Sequence, residues 1–155
     1  MSVDVNQINA VYRATKSIMS NHFGADISRG KPQAGQGSIP SDDVSVVLGV
    51  KGELSGQIIC SVSEGTAKNI VGAMMGGMEV SELDDMAWSA VQEFGNWVGG
   101  TTATELSNEN YNIDVTPPIV NEGKSNFHST SKFITVPMDT SLGSVCIHIS
   151  LSDKS

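Results

Sequence analysis

Two alternating runs constrain the fold of this chain more than any other feature. Val44, Val46, Leu48 and Val50 alternate with Ser45, Val47 and Gly49. Leu54, Gly56, Ile58, Cys60 and Val62 alternate with Ser55, Gln57, Ile59 and Ser61. Successive side chains of a strand leave by opposite faces, so a period of two puts one apolar row on one side of a sheet. Only Lys51-Gly52-Glu53 separates the runs, which predicts an antiparallel hairpin with one face toward a core. A last strand repeats the pattern, with Val145, Ile147, Ile149 and Leu151 facing one way and Cys146, His148 and Ser150 the other. Phe133, Ile134, Val136 and Met138 predict another strand, interrupted by Pro137. Tyr111 to Val120 alternates around Pro117-Pro118, which cannot donate to a ladder and so belongs at a sheet edge or beside a turn.

Helices supply the cover. Ile8, Val11, Tyr12, Thr15, Ile18 and Met19 recur at helical spacing between Asp4 and Phe23, with Gly24 as a stop and His22 placed to meet the last carbonyls. Ser28 to Pro40, rich in Gly, Pro and small polar residues, predicts a surface loop. Its glycines lack the spacing of a phosphate-cradling loop. Ser63 reads as the N-cap of a second helix running to about Met75, with Gly76-Gly77 as its end. Met74, Met75 and Met78 either fill the core or form an adaptable docking surface. The order helix, hairpin, two helices, then strands predicts an α+β fold, a mainly antiparallel sheet packed with helices, in a single domain over residues 1–155.

The third helix is the unusual one. Ser81 to Ser107 opens with a capping-box pattern, Ser81 and Asp84, and buries Leu83, Met86, Ala87, Ala90, Phe94, Trp97 and Val98 at a period of 3.6. Glu82, Ser89, Glu93, Asn96, Gly100, Ala103 and Ser107 form a second stripe, polar or bare. Glu93 and Asn96, three residues apart, have Cβ atoms about 5–6 Å from each other on such a surface. Gly95, Gly99 and Gly100 each cost a helix about 1 kcal/mol relative to alanine. They either let another backbone or another protein approach Glu93 and Asn96, or they accommodate a neighbouring helix, or the helix stops near Val98.

Composition narrows the function. The 155 residues carry a formal charge of −8, with 39% hydrophobic and 17% charged residues. This describes an ordinary globular chain whose acidity disfavours nucleic acid and anionic membrane as partners. The N-terminus has no secretory pattern and no segment is apolar enough to span a bilayer, so the expected compartment is the cytoplasm. Cys60 and Cys146 sit in strands as small hydrophobes, His148 is a strand-face histidine without a second metal ligand, and His128 falls in a loop-like stretch. Asp84-Asp85 lies in a first helical turn, where acids favour the dipole. No familiar nucleophile or metal motif is present. Glu93 and Asn96 remain. An acid and an amide on one helical face can complete a phosphoryl-transfer site by positioning and charge alone, yet E-x-x-N by itself also describes a solvated helix face.

The residues around that pair add more. Ser89-x-x-x-Glu93-x-x-Asn96 followed by the glycines resembles the signature helix of the CheC/CheX/FliY phosphatases of bacterial chemotaxis. Ile70 to Val80 and Val115 to Val120 resemble the CheX branch. The resemblance implies a CheC-like α/β sandwich that hydrolyses the aspartyl phosphate of a CheY-like response regulator. It implies that Asn96 orients the attacking water, that Glu93 binds the receiver's active-site lysine, and that Ser89 and Gly100 meet the partner. The chain would need no cofactor of its own, Mg2+ belonging to the receiver, and would form a homodimer through its sheet. One site per chain fits, because the first helix has no matching Glu and Asn. The competing expectation is a non-catalytic dimeric module that binds a response regulator or acts as a signalling scaffold. A third is a structural subunit of a motor complex.

Overall fold

The computed structural model describes residues 5–153. The predicted hairpin is its centre: β3 (Val44–Gly52) and β4 (Leu54–Val62) pair antiparallel from Val44↔Val62 to Val50↔Gly56. β8 (Gly143–Asp153) lies along β4, and β7 (Ser125–Thr140) along β8. β1 (Ile27–Arg29) and β2 (Gln33–Ser41) share the far edge of β7, while β5 (Ile113–Val115) and β6 (Ile119–Glu122) share the far edge of β3. Every pairing is antiparallel, in the order β1-β7-β8-β4-β3-β5.

The rows singled out by their period pack together. Val46, Leu48, Ile58, Ile147 and Ile149 are buried beneath α1 (Val5–Ser17), α2 (Glu64–Met74) and α3 (Asp85–Asn108). The other sheet face holds a small second cluster, Ile39, Ile59 and Phe133. α2 begins and ends as expected: Ser63 Oγ accepts from Thr66 N–H, and the amides of Gly76 and Gly77 donate to the carbonyls of Ala73 and Gly72. Those two bonds form a Schellman motif that needs the left-handed Gly76, φ 78°. Met74 and Met75 pack against the core, whereas Met78 is exposed.

Four expectations are corrected. The segment Ser28 to Pro40 is not a loop, because β1 and β2 occupy most of it. β2 is held by its backbone to β7 and buries only Ile39 and Ser41, so it carries no alternation to read. Pro137 does not interrupt its strand: β1 ends opposite Met138 and β2 begins opposite Thr135, so the missing N–H falls where no strand faces it. His128 lies on β7 and not in a loop. Finally, Ser81 does not cap α3, which starts later, at Asp85. The predicted start of the first helix, Asp4, lies outside the described residues.

Candidate functional site

Asp84 begins the helix that builds the site. Its carboxylate accepts from Ala87 N–H at 2.9 Å, and its carbonyl accepts the first helical bond, from Trp88 N–H. This cap outcompetes the overlapping Ser81 pattern and leaves Glu82 and Leu83 ahead of the helix. α3 then runs 24 residues to Asn108 without stopping at its glycines. It ends in a second Schellman motif, with Tyr111 N–H on the Leu106 carbonyl and Asn110 in the left-handed conformation at φ 69°.

A regular helix of this length has two sides with different duties. Ala87, Val91, Phe94, Gly95, Val98, Gly99, Thr102 and Leu106 are buried against the sheet and the other helices. Ser89, Glu93, Asn96 and Gly100 are all exposed, together along the opposite crest. Met86, on the same crest, is 68% exposed, so it is not the core residue its spacing predicted. Neither Glu93 nor Asn96 has a side-chain partner among the described residues, and α3 contains no Lys or Arg. The crest therefore presents an unpaired carboxylate and a free carboxamide, which can donate and accept at once.

Each side of the crest is walled. α1 packs along α3, and Arg13 reaches across to Glu105 at 2.7 Å and Glu109 at 3.1 Å. α1 closes in a π-helical turn, Ile18–His22. That turn lays the His22 ring on Trp97, with centroids 4.7 Å apart and planes 21° from parallel. This stack, next in sequence to Asn96, fixes the ring of a histidine that stands in the last helical turn, where the spacing placed it. It joins residues 75 positions apart, and no local pattern announces it. On the other side, Asn96 forms part of the wall of an open groove between α3 and the segment from Ile113 to Pro117.

The two cysteines and His148 are poorly placed for chemistry. Burial first, with Cys146 second, pushes the Cys60 thiol up to about 12. Burial, then Asp42 and Asp139, also raises Cys146. A nucleophilic thiol needs the opposite shift. Burial lowers the pKa of His148, whose Nδ1 lies 2.8 Å from Thr135 Oγ1. No group of three or more His, Cys, Asp or Glu among the described residues could hold a metal ion, and no helix is long and apolar enough to cross a membrane.

Comparison with known proteins gives this geometry a context. The family model for chemotaxis phosphatase CheX matches residues 44–139. CheY-P phosphatase CheX from Thermotoga maritima is 36% identical over 122 residues, 79% of each chain. A CheC-like superfamily protein from Shewanella sp. PV-4 superposes with a TM-score of 0.85 at 25% identity, over 97% of this chain and 99% of that one. The fold also matches a CheX–CheY–BeF3–Mg complex from Borrelia burgdorferi, with a TM-score of 0.73 at 23% identity, over 97% of this chain and 100% of the other. The matched residues run from β3 through α3 into β7. The chain belongs to the CheX family of chemotaxis phosphatases.

Proposed function

We propose that this chain hydrolyses the aspartyl phosphate of a CheY-like response regulator, with Asn96 orienting the attacking water and Glu93 binding the receiver's active-site lysine. The observation that carries the reading is the crest of α3, an acid and an amide three residues apart, both exposed and unpaired. A side chain already engaged at home would have to break its own bonds to serve a visitor. Similarity to the Thermotoga maritima CheY-P phosphatase supports the substrate.

The water oxygen bonds to phosphorus as the bond from phosphorus to the aspartyl carboxylate oxygen breaks. The carboxylate leaves with the electron pair, and the water protons pass to phosphate and solvent. The Asn96 carbonyl can accept a hydrogen bond from that water while its amide donates one to a phosphoryl oxygen. Mg2+ is held by the receiver, so this chain contributes position and charge only. Glu93, on a crest without cations, offers a lysine an uncontested partner and fixes the receiver's orientation. Ser89 and Gly100 meet the partner on either side.

The chain acts in the cytoplasm as a homodimer joined through its sheet, an arrangement that leaves the helical face open to the receiver. A phosphoaspartate decay assay with purified variants tests the proposal. One well-placed donor is worth about 10²–10³ in rate. Asn96→Ala should therefore lose most of the acceleration while keeping its fold, and Glu93→Ala should weaken receiver binding. Parental rates in Asn96→Ala would remove that residue from the mechanism.

A further inference from the structure

α3 carries three glycines, and the chain's own packing explains only two. A Cβ on Gly95 would stand 2.7 Å from Val46 Cγ1 and 2.9 Å from Pro118 Cβ, and one on Gly99 would stand 3.2 Å from Val115 Cγ1. A Cβ on Gly100 would meet nothing within 4 Å, and Gly100 has no positive φ to require glycine. An exposed mid-helix glycine gives up helix stability, and nothing inside this protein returns it.

Gly100 borders the groove of about 330 Å³ between α3 and β5. Asn96, Gly100 and Ala103 form one wall, and Ile113, Val115 and Pro117 the other. Asp114 and Thr116 of that second segment also line the groove. Asp114 pairs in register with Lys51 of β3, and Thr116 Oγ1 accepts from Gly49 N–H at 2.9 Å. β5 is the last strand on its side of the sheet, so its outer backbone edge pairs with no strand among the described residues. The volume is at the small end for a ligand pocket and the groove is open to solvent, which suits a side chain delivered by a docked surface.

We infer that this groove seats an apolar side chain of the phosphorylated receiver, projecting from the segment that flanks its phosphoaspartate, and that Gly100 and Ala103 stay small to admit it. This inference rests on the phosphatase reading, from which it takes its partner. Continuity identifies the occupant: Asn96 is both a wall of the groove and the proposed water-orienting amide. The molecule that brings its phosphoryl group to Asn96 is the one placed to fill the adjoining groove. Leu48, Ile113, Val115 and Pro117 make the lining mainly apolar, which favours an apolar guest. Gly100 and Ala103 are thus specificity-determining residues, separate from the chemistry.

The test compares the parent, Gly100→Leu and Ala103→Leu in phosphoaspartate decay over a range of receiver concentrations. Affinity for a beryllofluoride-loaded receiver and thermal melting are measured alongside. Blocking a side-chain site should raise KM and weaken affinity about tenfold or more with kcat nearly kept. Gly100→Ala, whose methyl group has free space in this chain, should fold whatever the larger variants do and shift KM in the same direction. Folded variants with the parental KM and affinity would overturn the inference and leave the phosphatase reading standing. A parent that does not accelerate decay would bring down both.

Discussion

Two glycines five residues apart on α3 should respond to the same substitution with opposite signs. Alanine gains about 1 kcal/mol over glycine in a helix interior. At Gly100 nothing opposes that gain, because the new Cβ has no neighbour within 4 Å. At Gly95 the Cβ would press on Val46, buried in β3, and on the buried ring of Pro118. Neither is the free end of a flexible chain, and overpacking of this kind costs about 1–3 kcal/mol. Gly100→Ala should therefore be about 1 kcal/mol more stable than the parent, while Gly95→Ala should lose about 0–2 kcal/mol net. For a chain of this size 1 kcal/mol moves the melting temperature by roughly 2–4 °C. Thermal and urea unfolding of the two variants reads the difference directly. A destabilised Gly100→Ala would refute the reasoning, because Gly100 would then have an internal packing role. So would a Gly95→Ala as stable as Gly100→Ala.

Two further outcomes follow from the local structure. Asp84→Ala should cost about 1 kcal/mol by removing the α3 cap, whereas Ser81→Ala should be nearly silent; denaturant midpoints separate them. Burial lowers the pKa of His148 from its ordinary 6.5, so the unfolded chain binds that proton more readily than the native one. The contribution of this group to stability is complete above pH 6.5 and declines as the pH falls below it, and His148→Gln should flatten that part of the stability profile.

Much of this fold was legible because side-chain period reports burial. The β3–β4 hairpin, β8, and α2 with its Ser63 cap and glycine stop all follow from alternation or capping chemistry. β2 was not legible, since backbone pairing with β7 holds it and seven of its nine side chains are not buried. The α3 start was ambiguous because two capping patterns overlap, and only Asp84 reaches an amide. The exposed crest emerged from helical spacing, although Met86 belongs to it and not to the core. What spacing could not separate were the glycines, for Gly95 and Gly99 differ from Gly100 only in neighbours drawn from β3, β5 and Pro118. The stack of His22 on Trp97 was equally hidden, being a tertiary contact. Periodicity put Glu93 and Asn96 on one face; their proposed roles came from resemblance to a family.

The most direct measurement supplies a phosphorylated CheY-like receiver in large excess and follows its phosphoaspartate with and without a small amount of this protein. Hydrolysis assisted by Asn96 predicts that each chain clears many receivers, and a hundredfold faster decay requires only about 2.7 kcal/mol of transition-state stabilisation. Decay that is unchanged, or slowed in proportion to the protein added, would mean that the crest of α3 binds the receiver without attacking its phosphate.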